Sequence, residues 1–126
     1  MIALQLPYPV SANVYWRHVV VGRRAVTLVS REAKAYRAAV AAVCSGVTPT
    51  AGELRVELVL HPRRTVKGET SKVRIDLDNA VKVALDSLQG LAFADDAQVV
   101  ELHATVGEAM NGGGLGVVVA AHEVTA

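Results

Sequence analysis

The spacing of apolar residues changes period several times along the chain, and each change marks an element. Ile2 to Leu6 is strand-like, and Pro7-Tyr8-Pro9 stops it because proline has no amide hydrogen to give a sheet. Val19-Val20-Val21 and Ala25-Val26-Thr27-Leu28 flank Gly22-Arg23-Arg24, a connector of hairpin length, so a hairpin with a basic tip is expected. Ser30 is a good N-cap for a helix running to about Cys44. There Ala33, Tyr36, Val40 and Val43 recur at helical spacing, Gly46 follows as a stop, and Arg31, Lys34 and Arg37 mark the outer face. From Glu53 to His61 the pattern alternates strictly, with Leu54, Val56, Leu58 and Leu60 on one side of a half-buried strand. Val81, Leu85 and Leu88 then predict a second helix from about Asp78 to Leu88, terminated at Gly90. Two late strands are expected near Val99 to Val106 and Leu115 to Ala121, joined through Asn111-Gly112-Gly113-Gly114.

These elements describe an α/β chain of the α+β type with two main helices. At 126 residues and 52% hydrophobic it has the size and composition of one domain, 1–126, without repeats or a linker. No stretch approaches the roughly 20 apolar residues that span a bilayer, and no charged segment followed by a hydrophobic run opens the chain. Neither secretion nor membrane insertion is expected. The single cysteine, Cys44, has no internal disulfide partner, and its setting is that of a core thiol in a reducing cytoplasm.

A net charge of +1 hides a division. Residues 1–75 carry twelve basic residues against four acidic ones (+8), whereas residues 76–126 carry Lys82 alone against eight acids (−7). One part is suited to meeting polyphosphate and the other to gathering carboxylates around a cation, although two halves that neutralise each other would give the same totals. Five of the basic residues (Arg63, Arg64, Lys67, Lys72 and Arg74) fall between Pro62 and Arg74, a stretch with no apolar period that reads as a surface loop.

The acidic half holds the candidate chemistry. If Ile75 to Leu77 are extended, Asp76 and Asp78 point to the same side, and oxygen-only ligands are what a hard ion such as magnesium prefers. A capped helix start accounts for the same pair in structural terms. A second acidic pair, Asp95-Asp96, follows the helix just ahead of a strand, and a cation would let it approach the first. Lys82 lies four residues from both Asp78 and Asp86, the spacing of ordinary helix ion pairs, yet beside a metal site it could stabilise charge on a phosphate. The four histidines show no zinc spacing, no nucleophile elbow is present, and the late glycines lack the Lys-Ser/Thr of a phosphate loop.

The run Asp76-Leu-Asp-Asn-Ala-Val-Lys82, with Asp86-Ser-Leu88 and Asp95-Asp-Ala-Gln-Val99, resembles the signature of RusA-type Holliday-junction resolvases, the crossover junction endodeoxyribonucleases. Leu6-Pro7, Ser11-Ala-Asn13, Tyr15, Arg17-His18 and Ser30 with Lys34, Tyr36 and Arg37 extend the resemblance over nearly the whole chain. The resemblance implies a small mixed β-sheet subunit that forms a homodimer, binds branched DNA, especially four-way junctions, and makes paired incisions. Its cofactor would be Mg2+, with Mn2+ as a substitute. Asp76, Asp78 and Asp96 would hold the metal and, with Lys82, form the catalytic set, while Asp95 has a lesser role. Arg17, Arg23, Arg24, Arg63, Arg64, Lys67, Lys72 and Arg74 would meet DNA, in the cytoplasm of a bacterial or phage-infected cell. The chain departs from the family pattern in its modest overall charge and in a basic loop lengthened by Val66 to Lys72. Two other readings fit the same residues: a broader nuclease of forks or flaps, and a non-catalytic DNA-binding dimer.

Overall fold

The strictest alternation in the chain becomes the centre of a sheet. In the computed structural model, which describes residues 1–123, β4 (Leu54–His61) turns Leu54, Val56, Leu58 and Leu60 into the core, none more than 1% exposed. Four strands line up in the order β1-β6-β4-β5, where β1 is Ile2–Leu6, β5 Val99–Val106 and β6 Gly114–Ala121. β6 runs antiparallel to both β1 and β4, and β5 runs parallel to β4, so the sheet is mixed. A parallel pair needs a crossover, and α3 (Leu77–Leu88) supplies it between β4 and β5. The two late strands are therefore not neighbours, because β4 lies between them. The connection from β5 passes the end of β4, held by Gly107 N–H to Leu60 O (2.9 Å) and Met110 N–H to Pro62 O (2.8 Å).

Between β1 and α2 (Arg31–Val43) the chain forms one helical turn, α1 (Ala12–Tyr15), and a hairpin of β2 (Trp16–Val21) and β3 (Arg24–Val29). Among the described residues these two strands pair only with each other. Gly22 takes φ 63° at the first of two turn residues, and Arg24 already pairs with Val21, so the basic tip is shorter than expected. Ser30 caps α2 by accepting the Ala33 N–H at 3.1 Å, as its position implied.

Helix faces differ from the spacing argument in two places. Val43 is 38% exposed and Cys44, 5% exposed, takes the inward position at the end of α2. In α3 the buried residues are Ala80, Val83, Ala84, Ser87 and Leu88, while Val81 and Leu85 are only half-buried. α3 packs on α1, α2 and the sheet together, and small side chains let these neighbours approach.

A polar cluster ties the three helices. Arg37 Nη2 lies 2.5 Å from Asp86 Oδ2, Arg37 Nε donates to the Tyr15 hydroxyl at 2.7 Å, and that hydroxyl donates to Asp86. Burial, reinforced by the hydrogen bond to Asp86, pushes the Tyr15 phenol up to about 12. Arg37 therefore serves as a tie to α3 rather than as part of a free outer face. Among the described residues no helix is long and apolar enough to cross a membrane.

Candidate active site

α3 begins one residue earlier than the strand reading of the Asp76–Asp78 pair requires. Asp76 is extended (φ −64°, ψ 142°) and stands at the N-cap, but Leu77 is already helical, so Asp78 lies in the first turn. The two carboxylates do not repeat with strand period, which corrects the same-side expectation. Nor do they act as caps: Asp76 makes no side-chain cap hydrogen bond, and only its carbonyl is used, by the Ala80 N–H at 3.0 Å. An N-cap aspartate usually stabilises a helix by about 1 kcal/mol through that bond. Here both carboxylates are exposed at the positive end of α3, without a hydrogen-bond or ion-pair partner among the described residues.

The second acidic pair divides its labour. Asp95 caps a 3-10 turn (Asp96–Gln98) by accepting the Ala97 N–H at 2.9 Å, and Gln98 Oε1 answers by accepting from the Ala94 and Asp95 amides at 2.9 and 3.0 Å. Gln98 also donates to the carbonyls of Thr50 and Gly52, fixing the turn to the start of β4. Asp95 is thus structural. Asp96 is held through its backbone, its amide donating to Gln89 Oε1 at 3.3 Å and its carbonyl accepting the Val99 N–H, while its exposed carboxylate has no partner among the described residues.

That contact places Asp96 at the C-terminal end of α3, opposite Asp76 and Asp78. Twelve helical residues separate the ends by about 18 Å. Among the described residues no three acidic, histidine or cysteine side chains form a group that could hold a metal. The donor set fits a hard divalent ion in chemistry, with three uncommitted carboxylates, but one chain does not bring all three together.

Lys82 stands midway along α3, exposed and without an ion pair among the described residues. The bridge to Asp78 and Asp86 is not formed, because Asp86 belongs to Arg37 and Tyr15. Instead Lys82 lines a cavity of about 400 Å3 with Asn79 on its own helix, Asn13 and Trp16 beside it, and His18 and Thr27 of the hairpin.

All eight arginines and lysines expected at DNA are exposed, and none pairs with a carboxylate among the described residues. Arg17, Arg23 and Arg24 lie on the hairpin, which reaches the Lys82 cavity through His18 and Thr27. The remaining five lie on the irregular segment 62–74, which leads directly into Asp76. Sequence reasoning missed Tyr8, treated there only as part of the break after β1. Its hydroxyl accepts the Ile75 N–H at 2.8 Å, fixing the chain just before Asp76, and the Arg63 guanidinium lies 4.1 Å above its ring. An aromatic held between two prolines was the one available signal.

Basic extensions lead to exposed carboxylates and a lysine without ion pairs among the described residues, a combination that suits an enzyme acting on a phosphodiester. Comparison with known proteins gives the same class: the family described as Endodeoxyribonuclease RusA matches residues 7–120. The chain belongs to the RusA family of Holliday-junction resolvases and is an endonuclease. Crossover junction endodeoxyribonuclease RusA of Escherichia coli strain K12 is 37% identical over 105 residues, covering 79% of this chain and 77% of the relative. The protein of the same name from Shigella sonnei strain Ss046 is 35% identical over the same length. That of Enterobacteria phage HK97 is 32% identical over 116 residues, covering 89% of this chain and 88% of the relative.

Proposed function

We propose that the protein is a magnesium-dependent, structure-selective DNA endonuclease that resolves four-way junctions by paired phosphodiester hydrolysis as a homodimer, in the cytoplasm of a bacterial or phage-infected cell. The relatives' names and sources support the substrate and the setting. The observation that carries the reading is the set of three carboxylates, Asp76, Asp78 and Asp96, exposed and released from structural duty while neighbouring Asp95 and Asp86 are bound.

The distance along α3 adds a condition. If all three acids hold one ion, Asp96 comes from the second subunit and meets Asp76 and Asp78 of the first. The exposed hairpin, with Val20 75% and Val21 61% exposed, supports a dimer because a two-stranded ribbon is marginal unless something covers it. A magnesium ion so held supplies charge neutralisation at the phosphate and a water of lowered pKa. In the hydrolysis the water oxygen bonds to phosphorus, one phosphorus–oxygen bond to the sugar breaks, and the departing oxygen takes up a proton. Lys82 stabilises charge on the departing or a non-bridging oxygen. Arg63, Arg64, Lys67, Lys72 and Arg74 on one side and Arg17, Arg23 and Arg24 on the other hold the strands that flank the site.

Incubating a labelled four-way junction and a linear duplex with the protein, with and without magnesium, tests the reading. Symmetric paired nicks in the junction alone, and only with magnesium, are expected. Equal cutting of forks and flaps would indicate the broader branched-DNA nuclease. Binding without nicks would leave a DNA-binding dimer.

A further inference from the structure

Immediately upstream of Asp76 the surface opens into a cavity of about 380 Å3. Its walls are Tyr8, Val14, Val73 and Ile75, and its rim carries Arg63 and Arg74. Three features mark it as built. The Arg63 guanidinium lies 4.1 Å over the Tyr8 ring, forming a planar platform. Gly113 makes room for that platform, since a Cβ there would stand 2.5 Å from Tyr8 Cδ2 and 3.0 Å from Arg63 Cγ. The Arg63 backbone is held by a bridge to Met110, and the Tyr8 hydroxyl accepts the Ile75 N–H at 2.8 Å, so the wall is fixed relative to Asp76.

The lining is also unusual for a water-exposed surface. Val73 is 85% exposed and Val14 46% exposed. Among the described residues no carboxylate lines the cavity, and the charges there are two arginines. A ligand that suits it has a flat, weakly polar body and attached negative charge.

We infer that this cavity captures one unstacked nucleobase of the DNA strand entering the active site, with the base lying against Val14, Val73 and the Tyr8–Arg63 platform and its flanking phosphates meeting Arg63 and Arg74. Bases stack readily on aromatic rings and on guanidinium planes. Unstacking costs least where the stack is already interrupted, as at a branch point, so the cavity gives the enzyme a physical means of preferring branched over continuous duplex. This inference rests on the endonuclease reading and deepens it, because it supplies selectivity rather than chemistry.

Fluorescence of 2-aminopurine, which brightens on leaving the base stack, provides the test. The base analogue is placed at successive positions across the branch point, and each junction is bound by the protein in the absence of divalent ions. One position should brighten on binding. In Arg63→Lys the charge is kept and the planar platform lost. In Val73→Ser an exposed apolar wall is removed with little risk to folding. Each should lower occupancy of the captured state by about fivefold or more, the scale of losing one stacking contact. No brightening at any position, or full brightening in both variants, overturns the inference. Magnesium-dependent nicking is scored separately on the same preparation. A protein that cuts but captures no base disproves the cavity's role alone, and one that captures a base but never cuts disproves the nuclease reading alone.

Discussion

Asp76→Asn and Asp96→Asn, placed in separate subunits of one dimer, test whether the site is shared. Magnesium binds its oxygen ligands at about 2.1 Å, so the carboxylates around one ion lie almost in contact. The two ends of α3 are about 18 Å apart, and short aspartate side chains do not close that gap. Each variant as a homodimer should therefore lose cleavage by at least about 100-fold while still binding junctions. In a heterodimer purified through two different tags, one site contains both substitutions and the other contains none. Such a heterodimer should nick at about half the wild-type rate, and paired incision should disappear because only one strand can be cut. A wild-type subunit joined to an Asp76→Asn/Asp96→Asn subunit serves as the converse, since both of its sites lack one acid and it should be inactive. Single-turnover nicking of an end-labelled junction measures all four species. An inactive Asp76→Asn and Asp96→Asn heterodimer alongside an active converse dimer would refute the shared site.

Lys82→Ala should lower the single-turnover rate by about two to three orders of magnitude. Its unfolding midpoint in urea should barely move, because Lys82 has no ion pair to lose among the described residues, and normal cutting by this variant would remove the lysine from the chemistry. Junction binding should weaken steeply with salt, with a log-log slope of about 0.9 for each neutralised phosphate, and Arg63→Ala with Arg64→Ala should make the slope shallower. An unchanged slope would mark segment 62–74 as a solvated face. Stability should fall between pH 10 and pH 12, where an unfolded tyrosine ionises and Tyr15, pushed up to about 12, keeps its proton. Two pH units correspond to roughly 2–3 kcal/mol, and urea unfolding of Tyr15→Phe across this range should show a flatter dependence.

Elements whose burial follows from local period were legible in the sequence. β4 was outlined by its alternation, and α2 by Ser30 and the spacing of Ala33, Tyr36 and Val40. The inward face of α3 was misjudged because Ala80, Ala84 and Ser87 carry little apolar signal, although helix packing favours small residues there. Strand neighbours are a non-local property, and nothing in residues 99–121 announces that β4 lies between β5 and β6. The same limit concealed the Tyr15–Arg37–Asp86 cluster, whose members lie up to 71 positions apart. At the candidate site the acids were recognised by type and order, but the start of α3 was misplaced by one residue, enough to change how Asp76 and Asp78 point. Their separation from Asp96 required knowing that the turn after α3 stays beside Gln89.

The hairpin formed by β2 and β3 also has a dynamic consequence. It shares no strand ladder with the main sheet, and its neck is closed by the Ser30 N–H donating to Tyr15 O at 2.9 Å. A ribbon attached in this way opens at a free energy well below that of global unfolding, so its amides exchange with solvent while those of β4 and β6 stay protected. Whatever covers the ribbon in the working complex slows that exchange, whether or not a phosphodiester is cut. Hydrogen exchange along residues 16–29 thus reports engagement separately from turnover and distinguishes a variant that fails to bind from one that binds and waits.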